Sequence, residues 1–280
     1  MRKMKKFENI VIASDLDGTF FGTKQYLIER NLERIKYFCD NGGYFTFATG
    51  RLPLFIKKPI PDPLSIINMP AVMGNGTCIY DFEKQEAIEE HFIDSEIAIN
   101  VIKYAKELDG TLGTRATFPG GFAISDMDNP IDRREYERLP GFMEKRILPL
   151  DEWRSLNCYK VNIISTDKEI DRIYPILKEK FSDKVGIAQT ASFMIEVFPL
   201  GVSKARGLQG LIESYFDRKM TLCCVGDYDN DLEMLRFAHI AVCPSNANEN
   251  VKAISKYCLC SNDEGIIGDL IDRLDADGTI

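Results

Sequence analysis

Two carboxylates one residue apart, Asp15 and Asp17, close the apolar run Ile10–Ala13 in "IVIASDLDGTF". Residues i and i+2 of a strand point to one side. A persisting strand would therefore project both acids together, whereas a turn starting here would splay them. Two carboxylates this close repel, and both ionise comfortably only beside a cation; otherwise one keeps a proton. The placement points to a divalent cation, an acid/base pair, or both. A second acidic cluster, "GDYDND" at 226–231, follows the apolar run "TLCCV". Within it, Asp227 could complete an oxygen-ligand site suited to Mg²⁺. Neither cluster fits a calcium EF-hand, which needs Gly at its sixth position and Glu at its twelfth. Counted from Asp15 the twelfth residue is Tyr26, and counted from Asp227 the sixth is Leu232 and the twelfth Ala238.

Two further stretches suit a phosphate. "FATGR" ends an apolar run with Thr49 and Gly50, a hydroxyl and a backbone N–H able to donate to an anion. "GVSKARGL" puts Lys204 at the start of a helical pattern, close to that helix's positive end. Each is common by itself; their order along the chain, each at a strand end or helix start, carries the argument.

The elements that must position these residues alternate. "NIVIAS" reads as a buried strand, residues 26–41 as a helix stopped by Gly42-Gly43, and "YFTFATG", "PAVMGNG" and "TCIYDF" as further strands. The last eighty residues repeat the alternation from "SKARGLQGLIESYF" to "EGIIGDLIDRL". Such a pattern favours βαβ units and a parallel sheet, and ligands of open α/β sheets bind at the carboxyl ends of the strands. The middle differs. One helix, "SEIAINVIKYAKEL", precedes a Gly-punctuated hairpin in "GTLGTRATFPGGFAIS"; a strand, a helix and a second hairpin in "GIAQTASFMIEVFP" follow. Strand pairs mixed with helices predict a separate α+β domain inserted into an open α/β core.

At 280 residues the chain fits two modest domains. Its net charge of −8 argues against a nucleic-acid partner, whose phosphates need a basic face. No apolar run is long enough to span a membrane. The basic-then-apolar start superficially resembles a signal peptide, but its apolar run is short and ends in Asp15, so a cytoplasmic protein is expected. The eight cysteines sit mostly in apolar runs without a CxxC pair, and only His91 and His239 are available. Buried free thiols are therefore expected rather than a zinc or redox site.

Taken together, "DLDGT", "TGR", a lone Lys before a helix and "GDYDND" resemble the four motifs of haloacid dehalogenase-like phosphatases. Only thirty residues separate Thr19 from Thr49, so the insert lies between "TGR" and Lys204, as in the Cof-type subfamily with its large α/β cap. "MGNGT" at 73–77 and "SNANENVK" at 245–252 also match that subfamily. The resemblance implies a Rossmann-like core of residues 1–82 and 199–280, with helices on both faces of its sheet, and an α+β cap at 83–198. It implies an Mg²⁺-dependent phosphatase of small phosphorylated metabolites, sugar phosphates among them. Asp15 would be the nucleophile, Asp17 the acid and base. Mg²⁺ would be held by the Asp15 side chain, the Asp17 carbonyl and Asp227, with Asp231 behind them orienting Lys204 or a metal-bound water. Thr49, Gly50, Lys204 and Asn230 would hold the phosphate. Arg115, in the Gly-rich cap segment, is a candidate for a second anionic group of the substrate, the alternative being a solvated turn. The sequence departs from the subfamily at Ala205 and at Pro244-Ser245, which leaves the contact expected of Asn246 open. A phosphomutase and a non-catalytic phosphometabolite sensor are the competing readings; the sensor would be expected to lack Asp15 or Asp17, and both are present.

Overall fold

The computed structural model describes residues 5–56, 59–166 and 169–276. Up to the end of the first segment the elements are β1 (Ile10–Ser14), α1 (Glu29–Asp40), β2 (Tyr44–Phe47), α2 (Pro53–Ile56), β3 (Ala71–Met73), β4 (Cys78–Asp81) and β5 (Glu86–Glu90). The insert holds α3 (Ser95–Leu108), β6 (Gly113–Phe118), β7 (Gly121–Ile124), α4 (Pro130–Arg138), β8 (Glu144–Ile147), β9 (Lys160–Ile164), α5 (Glu169–Phe181), β10 (Val185–Ala191) and β11 (Met194–Pro199). Then follow α6 (Lys204–Tyr215), β12 (Thr221–Val225), α7 (Leu232–Phe237), β13 (Ile240–Pro244), α8 (Glu249–Ile254), β14 (Tyr257–Leu259) and α9 (Ile266–Ala276). The chain forms two compact units, one from the described parts of Met1–Glu89 and Ser203–Ile280, the other from Glu90–Val202.

The first unit is α/β. Its five-stranded sheet runs β14-β13-β12-β1-β2, all parallel. Parallel neighbours need crossover connections, and helices supply them on both faces. Val11, Ala13, Leu222, Cys224, Ala241 and Cys243 pack with Leu208 and Leu211 of α6, Met234 and Leu235 of α7 and Val251 of α8. On the opposite side α1 packs on α9. Strands covered on both faces read as continuous apolar runs, which is why "IVIA" and "TLCCV" do not alternate. Register decides the rest. Ser14 lies opposite both Phe47 and Val225, so Asp15, Ala48-Thr49 and Gly226-Asp227 leave the sheet side by side at its carboxyl end. The "PAVMGNG" and "TCIYDF" strands depart from a simple extension of this sheet. β3, β4 and β5 form their own three-stranded sheet, joined to the strand-end segment by a parallel bridge between Ala48 and Val72 and by backbone hydrogen bonds from Gly74 to Arg51 and from Asn75 to Thr49.

The second unit is an α+β layer. Its six-stranded sheet runs β10-β11-β9-β6-β7-β8, antiparallel except for the β7–β8 pair. Ala116, Phe118, Val161, Ile163, Ile195 and Val197 bury one face against α3 and α5. Asp94 caps α3 by accepting from the Ile97 N–H at 3.0 Å. The eight cysteines are free thiols; burial pushes Cys158 and Cys223 up to about 12, so they stay protonated. Cys258 departs from the expectation and is exposed. No helix among the described residues is long and apolar enough to cross a membrane.

Candidate active site

β1 delivers Asp15 to the sheet end with its N–H still donated to Val225 of β12. The strand stops there. Leu16 accepts from the Phe21 N–H, and Gly18 takes φ +82°, so the chain turns and splays the two acids. Gly is required at this bend: a Cβ on residue 18 would lie 2.4 Å from Asp227 Oδ2. Asp15 is buried, and its Oδ1 accepts from Lys204 Nζ at 2.5 Å. Lys204 is fully covered and donates at 2.7 Å to Asp231 as well. Ser203 fixes the start of α6 by accepting from the Arg206 N–H, which places this lysine. Asp231 Oδ2 accepts from the Asp227 and Tyr228 N–H groups, so both of its oxygens are engaged and it braces the lysine. Thr19 donates to Asp227 Oδ1 at 2.7 Å.

Asp15, Asp227 and Asp231 offer carboxylate oxygens all within 4.8 Å of one another. Three acids against one lysine leave the cluster short of positive charge. Burial, the largest cause, pushes Asp15 up to about 7 despite Lys204, and Asp227 up to about 6 despite the Thr19 hydrogen bond. Burial alone would lower Lys204, but the flanking Asp15 and Asp231 carboxylates overcome it and raise it. Asp15 Oδ2 and Asp227 Oδ2 carry no hydrogen bond among the described residues. A carboxylate oxygen left unengaged on each of two clustered acids suits a hard divalent cation, and a cation would offset the burial and repulsion that raise both acids.

Asp17 stands apart from this cluster. Its side chain is half exposed and its two oxygens accept from Arg51 Nε at 2.7 Å and Nη2 at 2.5 Å. Gln25 Nε2 approaches at 3.5 Å. Thr49 is buried at the end of the second strand-end segment, and its hydroxyl oxygen accepts from the Arg51 N–H. Gly50 faces the Asn75 amide, and Asn230 donates to Asn75 Oδ1 at 3.5 Å. Asn246, whose role was open, donates to the Gly18 carbonyl at 2.8 Å and accepts from the Asn262 N–H, bracing the turn after Asp17.

Arg115 belongs to the second unit and sits in strand β6 rather than in a solvated turn. Its guanidinium donates to the buried Glu135 at 2.6 Å and to Asn162 at 3.3 Å, so its charge is already engaged. Sequence reasoning passed over Thr19, Arg51 and Asn75 as contributors. All three lie inside quoted motifs; their partners, 208, 34 and 155 residues away, gave no local signal.

Comparison with known proteins agrees with this geometry. The model of the haloacid dehalogenase-like hydrolase family matches residues 12–271. The chain is 27% identical to the 5-amino-6-(5-phospho-D-ribitylamino)uracil phosphatase YwtE of Bacillus subtilis (strain 168), covering 94% of this chain and 97% of that one. It is 26% identical to the HMP-PP phosphatase of Serratia proteamaculans (strain 568), covering 86% of each. The crystal structure of TM0651 from Thermotoga maritima superposes with a TM-score of 0.78 at 25% identity, over 94% of this chain and 97% of that one. With its parallel core sheet and inserted mixed-sheet cap, the chain belongs to the haloacid dehalogenase-like hydrolase family and is a phosphatase.

Proposed function

We propose that the protein is an Mg²⁺-dependent phosphomonoesterase working through an aspartyl-phosphate. The observation that supports it best is the buried chain Asp15–Lys204–Asp231 beside Asp227, with one oxygen of Asp15 left open. Asp15 Oδ2 attacks phosphorus, and the ester P–O bond breaks as the Asp–O–P bond forms. Asp17, as the carboxylic acid, gives its proton to the leaving alkoxide. It then takes a proton from the water that attacks the phosphoaspartate, releasing phosphate and restoring Asp15. Covalent catalysis of this kind splits one displacement into two, and one group serves as acid and then base. Lys204 and the Thr49 and Gly50 segment bind the phosphate oxygens, with Asn230 beside them. The Asp15 carboxylate, the Asp17 carbonyl and Asp227 would hold Mg²⁺, which when bound offsets the repulsion between nucleophile and phosphate.

The unit that carries all four motif segments is the catalytic core; the inserted unit is the cap that selects the leaving group. The substrates in the relatives' names, 5-amino-6-(5-phospho-D-ribitylamino)uracil and HMP-PP, head the panel of esters to test. Phosphate release is measured with Mg²⁺, with chelator and with Asp15→Asn. Release that needs both Mg²⁺ and Asp15 is expected. Equal release from Asp15→Asn would refute the covalent route, and phosphate returned to a second hydroxyl of the product would make the protein a mutase.

A further inference from the structure

The segment Met73–Thr77, "MGNGT", contributes no group to the mechanism above, yet it touches three of the four motif segments. The Asn75 N–H donates to the Thr49 carbonyl and the Gly74 N–H to the Arg51 carbonyl, both at 2.8 Å. Gly76, at φ +98°, lies so close to the residue that starts the Lys204 helix that a Cβ on it would come within 2.3 Å of the Ser203 carbonyl. Thr77 is buried and closes the turn by donating to the Gly74 carbonyl at 3.0 Å. Asn75 itself takes φ +58°, the left-handed region that a non-glycine residue enters at a cost unless its surroundings hold it there. Its amide is thereby carried over Gly50, with both amide heteroatoms within 3.2 Å of the position a Gly50 Cβ would occupy. On its other side Oδ1 accepts from Asn230 Nδ2 at 3.5 Å.

Resting on the phosphatase reading, we infer that Asn75 is a positioning residue of the phosphate site: it sets the Gly50 backbone and the Asn230 amide in one register with Lys204. The backbone of the turn fixes the spacing of the three segments. The side chain fixes what they present. Asn230 is an exposed amide on a short turn, and an acceptor at Asn75 restricts which way its N–H groups point. The glycine at residue 50 leaves room for the amide; a side chain there would displace it.

The test is inorganic-phosphate binding, measured as the dissociation constant with Mg²⁺ present, together with kcat and KM for the best ester. Asn75→Gly keeps the left-handed backbone and removes only the amide. It is expected to melt within about 2 °C of the parent and to weaken phosphate binding about tenfold, the loss of one hydrogen-bonded positioning contact. KM rises with it more than kcat falls. Because Asn75 acts through Asn230, the same change in an Asn230→Ala background should add less than about threefold. Asn75→Asp also tolerates the left-handed backbone, and its charge beside Gly50 should repel phosphate more than Asn75→Gly weakens it. Parent-like phosphate binding by either single variant overturns the inference. So do losses that multiply fully in the double variant, or a lowered melting temperature in Asn75→Gly with parent-like phosphate binding in Asn75→Asp, which is the signature of a structural role. A parent protein that releases no phosphate from any ester fails the phosphatase reading itself, and this inference falls with it.

Discussion

Replacing Lys204 by Met keeps the length and apolar stem of the side chain and deletes only its charge, so little packing is lost. In the metal-free protein the deletion leaves Asp15 and Asp231 facing each other without a cation. Asp231 keeps its two backbone donors; Asp15 Oδ1 loses the donor at 2.5 Å. Removing one partner of a buried pair costs about 3–5 kcal/mol. The pH dependence follows from Asp15. Its folded-state pKa is already raised to about 7, and loss of Lys204, which lowers it, raises it further. A carboxyl with a raised folded pKa adds stability fully below its unfolded value and loses it as pH rises through the folded value. The parent has finished losing that contribution just above pH 7, while the variant goes on losing it, at up to about 1.4 kcal/mol per pH unit. The penalty of Lys204→Met is therefore smallest near pH 6 and approaches its full size near pH 9. At about 2–4 °C per kcal/mol, the variant should melt about 6–20 °C below the parent at pH 9 in chelator, and several degrees less below it at pH 6. Differential scanning calorimetry at the two pH values decides the matter. An equal drop at both, or none at pH 9, would refute the buried-pair argument. Mg²⁺ should recover part of the stability but no phosphate release, because it replaces the missing charge without replacing the phosphate ligand.

Three other outcomes follow from the same geometry. Metal affinity should climb between pH 5 and pH 8, because Asp15 and Asp227, pushed up to about 7 and about 6, must lose their protons to ligate; the Mg²⁺-induced rise in melting temperature should be larger at pH 8 than at pH 5, and a rise independent of pH would contradict it. Arg51→Ala should lower kcat about tenfold or more by freeing the orientation of Asp17, yet move the melting temperature by no more than a few degrees, since a half-exposed pair contributes at most about 1 kcal/mol; unchanged kcat would show that Arg51 does not position Asp17. Arg115→Met should destabilise the inserted unit by about 3 kcal/mol, because Glu135 would be left buried with only Arg138 and the more distant Arg134. An unaltered melt with a raised KM for one ester would instead make Arg115 a substrate contact.

Much of the architecture is local chemistry. Apolar runs such as "IVIA" and "TLCCV" are strands because both their faces are covered, and the loops that follow carry the reactive residues at the strand ends. The order of the four motifs was equally legible, since each is a short run of residues whose types declare their chemistry. Where the local signal is thin, the structure alone supplies the element. Helix α4 has Pro at its first position and Asn129 as its cap, but its face toward the core is mostly polar, so no apolar period announces it. Strand β5, "EAIEE", is exposed and does not alternate. What the tertiary structure decided is which charges meet. That Lys204 spans Asp15 and Asp231, that Arg51 takes Asp17, and that Asn75 reaches Asn230 depends on contacts across 189, 34 and 155 residues. Residue type says that a side chain can pair. Only strand register and helix packing, which bring distant segments within a few ångströms, determine with what.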